Sequence, residues 1–151
     1  MIRDGVIEYE VLFAHPPERV WRALTDPAEL STWLLPNDFA AEPGHRFSFD
    51  ARPELGIIIG DVLDAEPPRL LRCQWAGAFG DTIVTFELAP EGSGTRLHVT
   101  HRGWTDELRG YRDGFDGGWQ DKLAEDLPAL LALDGRLRGH GVAGRVVLRA
   151  G

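Results

Sequence analysis

The chain reads as an α+β domain in which a curved antiparallel sheet covers one long C-terminal helix. Three observations predict this. Between Val6 and His101 five segments alternate apolar and polar residues with the two-residue period of strands, and a sixth is a longer apolar run. A single stretch near the C-terminus carries a sustained helical period, with Phe115, Trp119, Leu123 and Leu127 four apart and Leu130 and Leu131 extending the stripe. The order is strand, short helices, a run of strands, long helix, and one apolar helix stripe laid on one sheet face is a common way to close a core.

The first strand is Val6 to Phe13, with Ile7, Tyr9, Val11 and Phe13 on one face. His15-Pro16-Pro17 ends it, and a proline suits a first helical turn. Val20, Trp21 and Leu24 then define a short amphipathic helix ending near Asp26, which is placed to cap a second short helix from Pro27 to Trp33. A β-meander follows. Phe47 and Phe49 share a face of Arg46–Asp50; Gly56–Glu66 is an apolar run in which Gly60 suggests a bulge. Leu71, Cys73 and Trp75 alternate in the next strand, Val84, Phe86 and Leu88 in the one after, and Leu97, Val99 and His101 in the last. Turn residues separate these runs at hairpin spacing.

The long helix is expected from Asp106 to Leu133, about 40 Å at about 1.5 Å per residue. Pro128 removes one of its hydrogen bonds and should bend the last turns. One domain, 1–133, is expected, with 134–151 as a Gly/Arg-rich extension in which Arg145–Leu148 could add an edge strand.

Composition excludes several functions. A net charge of -8 over 151 residues argues against nucleic acid and anionic membrane surfaces. Cys73 is the only cysteine, so no intramolecular disulfide forms and a reducing cytoplasm is the expected location. No segment has the length of a membrane span or the pattern of a secretory leader.

The segments PPERVWRALTDPAELSTWL (16–34), GDVLDAEPPRLLRCQW (60–75), TIVTFELAPEGSGTRLHVTHRGW (82–104) and GGWQDKLAEDLPALL (117–131) together resemble the START-like, or SRPBCC, superfamily. More narrowly they resemble the branch named for the activator of the ninety-kilodalton heat-shock protein ATPase. The resemblance spans residues 6 to 133. It implies the helix-grip arrangement, with a cavity between sheet and helix, and a superfamily habit of binding hydrophobic or aromatic small molecules. Some relatives are polyketide cyclases or aromatases, and the branch name comes from a co-chaperone.

Candidate ligand contacts are the aromatics able to converge between sheet and helix, Trp33, Phe47, Phe49, Trp75, Phe86, Trp104, Phe115 and Trp119, although most of such a set is ordinarily core. Gly118, beside Gly117, costs the helix about 1 kcal/mol relative to alanine. Either it lets another element approach, or it leaves room for a ligand. With Gly110 and Gly114 it also softens the first half of the helix.

His101 is the inward polar residue of the last strand. Such a histidine is usually a satisfied core residue; otherwise it could orient a ligand or move protons. Asp61 is a second inward candidate if it shares the face of Ile57 and Ile59, and Tyr111 a third at the mouth.

His98 and His101 point to opposite strand faces, and no metal, phosphate-loop or nucleophile-elbow motif occurs, so neither metal nor cofactor is expected. Schiff-base chemistry has only Lys122, on the flank of the helical stripe. The leading reading is therefore a binding module for a small hydrophobic or aromatic molecule. A polyketide cyclase-type enzyme and a chaperone-stimulating interaction protein are the alternatives, and a homodimer is left open.

Overall fold

The computed structural model describes residues 1–137 and 147–150. Strands β1 (Ile2–Arg3) and β2 (Val6–Phe13) are followed by helices α1 (Pro17–Thr25) and α2 (Pro27–Trp33). Strands β3 (Arg46–Ala51), β4 (Gly56–Glu66), β5 (Leu70–Gly77), β6 (Gly80–Glu91) and β7 (Gly94–Arg102) then run as a meander. The sheet is antiparallel, in the order β1-β2-β7-β6-β5-β4-β3. Pairing β2 with β7 places the first long strand beside the last, so α1 and α2 carry the chain from one side of the sheet to the other.

Alternation sets which side chains face in. Ile7, Tyr9, Val11 and Phe13 are buried on β2, and Leu71, Cys73 and Trp75 on β5. Leu97, Val99 and His101 are buried on β7. The helix supplies the opposing layer with Trp119, Leu123, Leu127, Leu130 and Leu131. Asp26 caps α2 as its sequence position suggested, accepting a hydrogen bond from the Glu29 amide at 3.0 Å. Arg19 of α1 joins α2 to the C-terminal helix, donating to Glu29 at 2.7 Å and to Asp134 at 2.6 Å.

Two expectations are revised. Gly60 is regularly paired with Phe47 and Trp75, and the irregularity of β4 lies between Val62 and Asp64. The reason for glycine is steric: a Cβ there would sit 2.4 Å from the Phe47 ring and 2.3 Å from the Gln74 carbonyl oxygen.

The long helix is also not uniform. A 3₁₀ turn (Asp106–Leu108) leads into α3 (Arg109–Asp121), a π turn spans Lys122–Asp126, and α4 continues over Leu127–Leu137. Pro128 cannot donate to the carbonyl four residues back, and its ring crowds that carbonyl. The backbone accommodates it by widening: the Leu127 amide donates to the Lys122 carbonyl, five residues earlier.

In the tail, β8 (Val147–Ala150) pairs antiparallel with Tyr9–Leu12 of β2. Positions 145 and 146 of the expected edge strand lie outside the described residues.

Candidate functional site

An open cleft of about 380 Å³ lies between the first half of the long helix and one end of the sheet. Its near wall is α3, from Tyr111 through Gly114, Phe115, Gly118 and Trp119 to Lys122 at the start of the π turn. Trp75 of β5 forms the sheet side. The end of β3 and the loop after it contribute Asp50, Ala51, Arg52, Glu54 and Leu55, and Leu34 and Leu35 follow α2.

The wall of α3 is shaped by what it lacks. At Gly114 and Gly118 an added Cβ would meet nothing within 4 Å. Both glycines border open space, so neither is there to let another element come close.

Beyond the cleft the interior is closed by aromatic rings around His101. Its ring lies 4.5 Å from Trp104, 5.0 Å from Phe115 and 5.5 Å from Trp75, measured between centroids. Trp75 stacks on Trp119 at 5.7 Å, and Phe86 meets Trp119 edge-on. The ring nitrogens of His101 and Trp119 and the Thr82 hydroxyl are satisfied in one chain. Trp119 Nε1–H donates to His101 Nδ1 at 3.1 Å, which puts the imidazole proton on Nε2. His101 Nε2–H then donates to Thr82 Oγ1 at 2.8 Å, and the Thr82 hydroxyl donates to the Trp75 carbonyl at 2.8 Å. Trp104 Nε1–H donates to the His101 carbonyl at 2.9 Å. Burial pushes the His101 pKa down to about 3, so the imidazole is neutral at physiological pH.

Of the residues expected at a ligand, Trp75, Phe115, Gly118 and Trp119 border the cleft, and Tyr111 stands at its mouth, 36% exposed. Phe47, Phe49, Phe86, Trp104 and His101 do not border it. Trp33 is buried beneath α1, its Nε1–H donating to the Ala23 carbonyl at 2.7 Å.

Asp61 requires a correction. It does share a face with Ile57 and Ile59, but that face is the outer one: Ile57 and Ile59 are 43% and 42% exposed, while Ile58 and Val62 point inward. Asp61 there pairs with Arg46 at 2.9 Å, which holds its carboxyl below the usual range. An unbroken apolar run hides which alternate residue faces in.

Sequence reasoning missed the end of β3 with the loop after it (Asp50–Leu55), Leu34, Leu35 and the orientation of Lys122. Lys122 follows Gly118 by four residues, as Gly118 follows Gly114, and that row was the available signal. Within the cleft Asp50 and Arg52 form a bidentate pair at 2.9 and 2.7 Å, which holds the Asp50 carboxyl down to about 2. Among the described residues no three His, Cys, Asp or Glu side chains gather as a metal site, and no helix is long and apolar enough to cross a membrane.

Comparison with known proteins agrees with this architecture. The MLL2253 protein of Mesorhizobium loti is 35% identical over 83% of this chain and 96% of its own, with a TM-score of 0.78. The BH1534 protein of Bacillus halodurans is 32% identical over 81% and 93%, at 0.68. The Aha1 dimer of Colwellia psychrerythraea is similar in fold, at 21% identity over 86% and 96% with a TM-score of 0.73. No curated protein matches the chain by sequence. The model of the family described as Activator of Hsp90 ATPase homolog 1-like protein matches residues 14–132, and with a helix-grip sheet and helix already in place, the chain belongs to that family and to the START-like superfamily.

Proposed function

We propose that this protein binds a small hydrophobic or aromatic molecule in the cleft between the sheet and α3. The observation that carries this reading is the cleft itself: about 380 Å³, with mostly apolar walls and two helix glycines facing empty space. That volume lies within the roughly 300–1,000 Å³ of small-molecule sites. Mid-helix glycines cost about 1 kcal/mol each relative to alanine, and here no close packing offsets the cost. Tyr111 offers a hydroxyl at the mouth, and Trp75 and Trp119 offer flat apolar surface.

Native mass spectrometry of the purified protein tests the reading. A co-purifying small molecule is expected, and Gly118→Leu, which fills the cleft, should abolish it. Absence of any bound mass, together with no thermal shift from a panel of aromatic compounds, would overturn it.

A cyclase-type enzyme has less support. His101, the group best suited by type to move protons, donates to Thr82 and accepts from Trp119 and is neutral above about pH 3. Chaperone stimulation rests on the family description, and a pull-down without a chaperone removes it. Homodimerisation, by analogy with the Colwellia dimer, is checked by light scattering. We infer a cytoplasmic location from the lone cysteine, and fractionation checks it.

A further inference from the structure

If the cleft holds a ligand, as proposed above, its walls also specify the charge that ligand should carry. Two rows of side chains run along the cleft face of the helix at four-residue spacing. Tyr111, Phe115 and Trp119 form an aromatic ridge. Gly114 and Gly118 form a bare strip beside it, and the strip ends on Lys122, about 12 Å from Gly114 at about 1.5 Å per residue. Lys122 is the only lysine of the chain.

Four charged side chains border the cleft, and they are not equivalent. Asp50 and Arg52 are engaged with each other through two short hydrogen bonds. Glu54 is exposed on the loop after β3. Lys122 Nζ donates to the Trp33 carbonyl at 3.3 Å and stands 3.8 Å from Asp126. Both contacts are long for an ammonium with three donors, which leaves it capacity for a closer anionic partner. The apolar walls around it lower the local dielectric and strengthen such a pair relative to one in open water.

We propose that the cleft takes a flat aromatic acid, its rings on the Gly114–Gly118 strip against the aromatic ridge and its anionic group on the Lys122 ammonium.

Two fluorescent probes with one skeleton separate the charge from the apolar surface. 8-Anilinonaphthalene-1-sulfonate carries an anion; N-phenyl-1-naphthylamine is the same ring system without it. Titrated into the full chain, both should bind, and only the sulfonate should weaken as salt is raised. Lys122→Met should weaken the sulfonate about tenfold, the loss of one partly shielded charge-assisted contact. It should leave the neutral probe within about twofold, and Lys122→Arg should restore most of the loss. Gly118→Leu should abolish both, showing that they occupy the cleft.

An unchanged sulfonate affinity in Lys122→Met, or an equal loss for both probes, would overturn the charge assignment while leaving the cleft as an apolar site. If neither probe binds the native chain, the ligand-binding reading fails and this inference with it.

Discussion

The space between sheet and helix is closed around His101 and open beside Gly114, although the same helix borders both parts. In the closed part, four rings surround the imidazole, and each ring nitrogen among His101, Trp104 and Trp119 has a partner. In the open part, two residues without side chains face space that no neighbour fills. The difference teaches that aromatic content alone does not distinguish a pocket from a core. What separates them is where the polar atoms are satisfied and where Cβ atoms are missing.

The sharpest way to break this comparison is at His101. His101→Ala should destabilise the fold by about 3 kcal/mol in urea unfolding, because it opens a void, leaves Trp119 Nε1–H without an acceptor and removes the donor to Thr82 Oγ1. A loss well under about 1 kcal/mol would show that the closed part is not held by this chain of hydrogen bonds. Next in size is Gly60→Ala, expected to cost about 2 kcal/mol, since the added methyl collides with Phe47 and the Gln74 carbonyl. Its thermal midpoint should fall, and an unchanged midpoint would mean that the Phe47 ring moves aside freely.

Acidity provides the third probe. The His101 pKa is about 3 in the folded chain and about 6.5 when unfolded, so between those values the unfolded chain holds the extra proton. Stability from this group is therefore complete above about pH 6.5 and is lost as pH falls toward 3, by up to about 1.4 kcal/mol per pH unit. His101→Gln keeps a donor and an acceptor but cannot titrate, so its stability should fall less steeply over the same window. Identical slopes would remove His101 as the cause.

The smallest effect belongs to the open side. Gly117→Ala meets nothing within 4 Å and should stabilise by up to about 1 kcal/mol through helix propensity alone, read from the urea midpoint. Gly118→Ala should stabilise similarly while narrowing the cleft, so a gain in stability with a loss of ligand affinity would separate the two roles.

Much of the architecture was legible because burial here follows simple periods. Ile7, Tyr9, Val11 and Phe13 alternate cleanly, and Trp119, Leu123 and Leu127 keep one helical face, so each fell on the buried side. Asp61 failed for the opposite reason: in Ile57-Ile58-Ile59 every residue is apolar, and alternation carries no sign. The closed and open parts could not be told apart, because Phe86 and Phe115 look alike as residues and only the fold decides which one meets the cleft. Lys122 was read from the edge of a stripe, when its four-residue relation to Gly114 and Gly118 placed it on their row.

The π turn also acts as a phase corrector. Residues four apart on a regular α-helix advance about 40° around the axis at each step, so a stripe from Phe115 to Leu131 would wind about 160° away from its starting line. The wider turn at Lys122–Asp126 winds it back, letting the aromatic half and the leucine half address one surface. Removing a single residue there would close the wide turn into a regular α turn, with the glycine strip still on the cleft and the leucines still seated, so the extra residue is what the turn absorbs.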